Sequence, residues 1–373
     1  MNNFCALPFG HTTVQTNGDF AVCCRHYTPS QHIININKDP YEVWESSIYL
    51  NEVRQAFADN TRHPGCSACW KLEDHNQPSL RTRTQQEYKL LGIDKSITKL
   101  VNVELQVGNL CNLKCLMCYE NDSSAILAEN IQLRINLITQ KDVNWTDTGF
   151  ENLGELIHYS PTILNIRGGE PMYNKPLLTV IENLPKDVCS QTLLHITTNG
   201  TQSSPRWIAA LEKFKIVRPM FSIDAVDELY EYIRFPGKWA TTAANVNHMQ
   251  TIKNIKPLVH CVVQNLNIGS IGPLIAWCKA CNLYLQFDQI VTPDYLVFTN
   301  LPRNLKLSAV THLELVLQWE LDPHIREFIT QAHIQLTDSL SAPDNLELWE
   351  IFKTQIEMRD TIRNNTHKLF LSY

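Results

Sequence analysis

From residue 99 onward, short apolar runs alternate with longer mixed segments, and that alternation predicts most of the architecture. Leu100–Val107, Thr162–Ile166, Thr192–Thr197, Val217–Ile223, Leu258–Val263 and Tyr284–Val291 read as strands, being short, apolar and bounded by turn formers. Between them, Ser123–Ile138, Lys175–Leu184, Trp207–Phe214, Thr241–Ile252 and Ile271–Cys281 are long enough for helices. Strand–helix alternation of this kind predicts a parallel sheet with crossover helices. The expected fold class is therefore α/β, a partial (β/α)6 TIM-like barrel. After Pro302 the pattern turns helical, with Leu307–Leu321, His324–His333 and Leu346–Asn364 as the predicted helices.

The first eighty residues follow a different pattern. Asn17-Gly18 is a hairpin signal that folds Phe4–Val14 against Asp19–Cys23. Pro40–Ala58 reads as a helix, and the polar, helix-favouring stretch Arg81–Ser96 as a connection. The expected organisation is a small cysteine-rich α+β domain over 1–80, a linker over 81–98, the barrel over 99–300 and a C-terminal helical extension over 301–373.

Composition narrows the function. Hydrophobic residues make up 44% and charged residues 19%, an ordinary globular balance. The formal net charge is −6 with no basic block, which argues against a general nucleic-acid binder but leaves a nucleotide in a pocket open. No apolar run is long enough to span a bilayer, and the start, Met1-Asn2-Asn3-Phe4-Cys5, lacks the basic and apolar segments of a secretory signal. We expect a cytoplasmic protein. In that compartment its twelve cysteines are to be read for metal or catalysis rather than as disulfides.

Three of those thiols fall in one short stretch directly after the first barrel strand, Cys111-Asn112-Leu113-Lys114-Cys115-Leu116-Met117-Cys118. The spacing is C-x3-C-x2-C. Thiolates on a compact loop can each hold one iron of a [4Fe–4S] cube, and three of them leave the fourth iron open for a substrate. The plain alternative is a zinc or structural cluster with its fourth ligand elsewhere. Ile166-Arg167-Gly168-Gly169-Glu170-Pro171 then closes the second predicted strand, where paired glycines allow close backbone approach to a ligand. Ligands of open sheets and barrels bind at such strand ends.

With these motifs in place, residues 99–300 resemble the radical SAM superfamily. The resemblance implies that Cys111, Cys115 and Cys118 hold a [4Fe–4S] cluster that binds S-adenosylmethionine (AdoMet). It implies that Gly168, Gly169 and Glu170 meet the AdoMet amino group and that Met117 meets the adenine, where many members carry an aromatic residue. Asn199, Ser222 and Arg234 are candidates for its ribose or carboxylate. The implied reaction is reductive cleavage of AdoMet to a 5′-deoxyadenosyl radical that takes a hydrogen atom from substrate, the cofactor carrying the hard chemistry. A low-potential donor of flavodoxin or ferredoxin type would supply the electron.

The N-terminal cysteines form a second constellation: Cys5, Cys23 with Cys24 beside it, then Cys66-Ser67-Ala68-Cys69. Two separated pairs of soft ligands suit a four-thiolate site, for zinc or for a cluster. With Cys5-Ala6-Leu7-Pro8-Phe9, Asn17-Gly18-Asp19, Tyr41-Glu42-Val43-Trp44 and Val53-Arg54, the segment is similar to SPASM and twitch domains. Such domains usually follow the barrel, and here the module precedes it. The resemblance implies one auxiliary [4Fe–4S] cluster on Cys5, Cys23, Cys66 and Cys69, with Cys24 as the alternative to Cys23.

Cys278 and Cys281 near a helix end, Cys189 and Cys261 are expected to pack as small hydrophobes. The histidines show no H-x3-H or H-E-x-x-H arrangement. The resulting expectation is a radical SAM enzyme acting on a peptide or protein side chain, with a small molecule, sugar or nucleotide as the alternative substrate. A non-catalytic iron–sulfur sensor or scaffold is the reading from another class. No side chain is singled out as catalytic, and the substrate, the fate of AdoMet and the oligomeric state are not encoded in these motifs.

Overall fold

The structure is a computed structural model that describes residues 3–90, 92, 99–135 and 143–365. Its contacts divide the chain into two compact units, one within 1–110, 141–197 and 204–218, the other within 111–140, 198–203 and 219–373.

In the first unit, β1 (His11–Val14) and β2 (Phe20–Ala21) form the predicted hairpin, and β3 (Asn102–Gln106), β4 (Ile163–Arg167) and β5 (Leu193–Thr198) follow in chain order. Gly18 makes the turn: its φ is +90°, and a Cβ there would lie 2.6 Å from Asn37 Nδ2. The hairpin is shorter than predicted, because Leu7–Gly10 is a helical turn. It also does more than predicted. β1 pairs in parallel with β3, from His11 opposite Asn102 to Val14 opposite Leu105, so the cysteine-rich segment extends the barrel's own sheet.

The strands β3 to β5 bury Val103, Leu105, Leu164, Ile166, Leu194 and Ile196. A helix over Asp147–His158, which the apolar pattern does not flag, connects β3 to β4. Thr146 caps it, accepting from Gly149 N at 3.2 Å, and Phe150, Leu153, Leu156 and Ile157 make its buried stripe. The helix expected over Pro40–Ala58 is two helices, Tyr41–Glu45 and Ile48–Ala58. The break falls at Ser46-Ser47, because the Ser47 hydroxyl accepts from Leu50 N at 3.2 Å and starts a new helix. Helix Leu80–Leu90 occupies the expected connection, whose residues 91 and 93–96 lie outside the described residues.

In the second unit, the end of β6 (Ile216–Ser222), β7 (Leu258–Val263) and β8 (Tyr284–Gln289) pair in parallel. Val259, Cys261 and Val263 are fully buried on one face of β7, while His260 and Val262 on the other are half-buried. Helices Ser124–Gln132, Asp227–Ile233, Trp239–Gln250 and Gly272–Ala280 accompany these strands. Residues 136–138 of the helix expected over Ser123–Ile138 lie outside the described residues. Three longer helices, Arg303–Leu317, Pro323–Ser339 and Leu346–Arg363, make the expected C-terminal extension.

All six barrel strands thus stand within two residues of their predicted ends. The fold is α/β, with a cysteine-rich N-terminal segment and C-terminal helices. Among the described residues, no helix is long and apolar enough to cross a membrane.

Candidate functional site

The loop carrying Cys111, Cys115 and Cys118 belongs to the second unit and is stitched down at several points. Lys114 N donates to Phe235 O at 2.6 Å and Leu116 N to Ile233 O at 3.0 Å, so the loop runs along the segment that follows helix Asp227–Ile233. Ser123 Oγ donates to Leu113 O at 2.9 Å, and Cys111 N donates to Ser124 Oγ at 3.2 Å. Cys118 N donates to Cys115 O at 3.1 Å, which closes the second half of the motif into a turn.

Arg234 lies against this loop. Its Nη1 stands 3.7 Å from Cys115 Sγ, and its Nε stands 2.8 Å from Asp224 Oδ2. Asp224, fully buried, also accepts from Val262 N at 2.9 Å. Burial disfavours the Arg234 charge, but Asp224 and the Cys115 sulfur more than offset it and hold the guanidinium protonated. Burial pushes the Cys115 thiol up, with Arg234 pulling the other way. Burial also raises the Cys118 thiol well above its usual range, helped by Cys115, Asp122 and Cys111. Cys118 thus lies in the field of both other sulfurs, and a cationic cluster core would relieve the charge of three such thiols once they ionise.

Asn199 and Thr201 also meet this loop. Asn199 Nδ2 donates to Asn112 Oδ1 at 2.9 Å, and Asn112 Nδ2 donates to Thr201 Oγ1 at 2.8 Å. This places Asn199 beside the cysteine loop, holding the residue after Cys111. Ser222 ends β6 in register with His260, and Met117 is half-buried between the anchored Leu116 and Cys118. Nothing local in the sequence marks Asp224 as the partner of Arg234.

In the first unit, the turn Gly168-Gly169-Glu170 ladders onto the residues that lead into the cysteine loop. Val107 N donates to Arg167 O at 2.7 Å, Gly169 N to Gly108 O at 3.1 Å and Glu170 N to Leu110 O at 2.8 Å. Both glycines are required. Gly168 has φ +103°, and a Cβ on Gly169 would lie 2.2 Å from Leu110 O. Glu170 is buried, and its Oε1 accepts from Met172 N at 2.9 Å.

The same unit gathers the N-terminal thiols. Cys5, Cys23, Cys66 and Cys69 line one small cavity together with the apolar Leu7 and Val22. The hairpin supplies Cys23, the turn before Leu7–Gly10 supplies Cys5, and Pro64–Cys66 leading into Ser67–Asp74 supplies the last two. Cys24 points elsewhere, toward Glu104 and Arg167. Burial pushes the thiols of Cys5 and Cys66 up to about 12 and raises that of Cys23 as well, so these three hold their protons at neutral pH. Four soft donors around an apolar cavity fit an iron–sulfur cluster, whose binding displaces those protons. A single ion has a tighter set at hand: His26, His63 and Cys66, whose ligand atoms lie within 4.8 Å of one another. Arg81 and His26 at this cavity went unflagged in the sequence. Arg81 pairs with Glu73 and donates from Nη1 to Phe4 O at 2.7 Å, fixing the chain beside Cys5.

Cys189, Cys261 and Cys278 are buried. Cys261 Sγ lies 3.7 Å from Asp224 O and Cys278 sits in helix Gly272–Ala280, places where a cysteine packs as a small hydrophobe.

Residues 105–268 match the family model of the radical SAM superfamily, and residues 5–70 match that of SPASM, an iron–sulfur cluster-binding domain. Among curated proteins, GTP 3′,8-cyclase of Bradyrhizobium diazoefficiens is 21% identical over 213 residues, 56% of this chain and 58% of that protein. GTP 3′,8-cyclase of Nitrobacter hamburgensis is 22% identical over 193 residues, 51% of this chain and 52% of that one. Among solved structures, Streptococcus suis SuiB bound to precursor peptide SuiA aligns with a TM-score of 0.41 and 14% identity, over 78% of this chain and 59% of that one. Native anSMEcpe with bound AdoMet aligns with a TM-score of 0.39 and 16% identity, over 56% of this chain and 57% of that one. The chain spans only a little over half the length of the relatives it matches. The chain therefore carries a radical SAM domain over 105–268 and, ahead of it, a SPASM iron–sulfur cluster-binding domain over 5–70.

Proposed function

We propose that this protein is a radical SAM enzyme that binds AdoMet at a [4Fe–4S] cluster on Cys111, Cys115 and Cys118. The observation that carries the reading is the cysteine loop itself: three thiols on one loop anchored along 233–235, with the Arg234 guanidinium 3.7 Å from Cys115 Sγ. A reduced cluster held by Cys111, Cys115 and Cys118 would supply one electron to the sulfonium of AdoMet, whose cleavage to methionine would supply a 5′-deoxyadenosyl radical able to take a hydrogen atom from substrate. The chain's own residues hold and shield that chemistry. Asp224 keeps Arg234 charged beside the loop, Asn199 and Thr201 fix Asn112, and the Gly168-Gly169 turn lets backbone approach where a side chain would collide. Glu170 and Met117 are the residues proposed for the amino group and the adenine, with Ser222 and Arg234 for the ribose or carboxylate. A flavodoxin or ferredoxin type donor is the proposed electron source, and the cytoplasm the proposed setting.

The test is direct. Anaerobic protein with dithionite and AdoMet is expected to form 5′-deoxyadenosine; a fully loaded sample that forms none removes the enzyme reading and leaves the sensor or scaffold.

The auxiliary site has its own count. With a second cluster on Cys5, Cys23, Cys66 and Cys69, iron analysis is expected to give about eight irons per chain. His63→Ala is expected to leave that number unaltered. About four irons with one zinc, the zinc lost in His63→Ala, would move the assignment to His26, His63 and Cys66.

For the substrate we place a peptide or protein side chain first, because the N-terminal domain is of a kind that accompanies peptide-modifying radical SAM enzymes. A nucleotide is the second reading, favoured by the relatives named GTP 3′,8-cyclase. GTP is expected to leave the rate of AdoMet cleavage unchanged; a GTP-dependent burst of 5′-deoxyadenosine with a new nucleotide product would reverse the order.

A further inference from the structure

The C-terminal helix Leu346–Arg363 buries Phe352, Ile356, Arg359 and Arg363, a stripe spaced by four, three and four residues. That is the apolar stripe of a core helix, except that its last two positions are arginines. A buried guanidinium is costly unless fully paired, and an apolar side chain in its place is often at least as stable. The pairing found here is specific. Glu129, 1% exposed, lies on helix Ser124–Gln132, the helix that follows the cysteine loop. Arg363 grips it with both arms of the fork, Nε to Oε1 at 2.8 Å and Nη2 to Oε2 at 2.6 Å. The same Nη2 donates to Lys114 O at 2.8 Å, and Lys114 lies within the loop between Cys111 and Cys115. The guanidinium also covers the Phe235 ring at 5.2 Å, and Phe235 O accepts from Lys114 N at 2.6 Å. Arg359 adds a second cation 3.5 Å from Glu129 and donates to Asn130 Oδ1 at 3.0 Å; Lys114 Nζ adds a third at 3.7 Å.

We propose that the C-terminal helix is a working part of the AdoMet-cluster site, with Arg363 as a positioning residue that clamps the cysteine loop through Lys114 O and Glu129 and sets positive charge beside the cluster. Glu129 faces three cations, and Asp360, which accepts from the Tyr232 hydroxyl at 2.9 Å, is a second carboxylate on the C-terminal helix, so the three cations still exceed the two carboxylates beside the loop. Positive charge there favours the electron-rich cluster over the oxidised one. The inference rests on Cys111, Cys115 and Cys118 being cluster ligands.

The experiment compares the full-length holoprotein with Arg363→Gln, Arg363→Met and Arg363→Lys. Two quantities are read for the AdoMet-responsive cluster: iron release to a chelator under argon, and the midpoint potential from a redox titration followed by paramagnetic resonance. Arg363→Gln is expected to speed iron release by about 10- to 100-fold, the usual range for an outer-shell partner of a metal ligand. Its potential is expected to fall, since lost positive charge disfavours the added electron. Arg363→Lys restores the charge without the fork, so its potential should return toward the parent while iron release stays fast. Arg363→Met keeps apolar packing on Phe235, and it should reproduce the low potential even if the glutamine variant folds poorly. A parent protein with an AdoMet-responsive cluster, and variants matching it in both quantities, would overturn this inference alone. A parent without such a cluster overturns it together with the reading it rests on.

Discussion

Cys115→Ala is expected to reduce 5′-deoxyadenosine formation to background and to remove about four irons per chain, leaving the auxiliary complement in place. Cys115 is buried, sits at the centre of the spacing and carries the contact with Arg234. Removing its sulfur takes one corner from the cluster, and neighbouring thiols have no slack to replace it. Lys114 and Leu116 on either side are each tied by a backbone hydrogen bond to 233–235. Cys111→Ala and Cys118→Ala are expected to behave alike, because on the proposed assignment each thiol would hold a different iron. The product is measured by chromatography and mass spectrometry beside an iron and sulfide count. Undiminished 5′-deoxyadenosine in the three variants would end the assignment of this loop as the AdoMet site.

Gly169→Ala is expected to cost about 1–3 kcal/mol of stability or more, and to weaken AdoMet binding at least about tenfold. The new methyl would lie 2.2 Å from Leu110 O and 2.7 Å from the carbonyl carbons of Asn109 and Leu110. Those atoms are backbone, so relief requires moving the chain that leads into Cys111. The same displacement strains the bonds from Gly169 N to Gly108 O and from Glu170 N to Leu110 O, 3.1 and 2.8 Å long. Gly154→Ala is the control. It lies in helix Asp147–His158 with open space where the methyl would go, and replacing a helical glycine by alanine is expected to gain about 0.5–1 kcal/mol. Thermal unfolding and equilibrium dialysis with AdoMet read both variants. A Gly169→Ala protein as stable and as tightly binding as Gly154→Ala would refute the close-approach role of this turn.

Much of the barrel was visible in the sequence because its signals are local. β7 alternates buried Val259, Cys261 and Val263 with half-buried neighbours, and such a period shows within six residues. Helix Asp147–His158 was missed although Thr146 caps it well. Its apolar residues are separated by Glu151, Asn152, Gly154 and Glu155, and the segment is read as helical only once the face it buries is known. Likewise, the Pro40–Ala58 pattern is helical throughout, and it is divided where Ser46 closes one helix on Glu42 O and Ser47 caps the next. Cys23 and Cys24 are adjacent and chemically equal, so nothing in their order could say which faces the cavity with Cys5, Cys66 and Cys69.

By itself, the sequence determined which thiols stand at spacings suited to iron and which segments alternate as strand and helix. Both properties depend on neighbours a few positions apart. Tertiary structure decided what surrounds those ligands: β1 pairing beside β3, Asp224 beside Arg234, and Arg363 on Glu129, 234 positions earlier in the chain. A buried charge is tolerated only where the fold delivers its partner, and that partner is chosen by the path of the chain rather than by any local pattern.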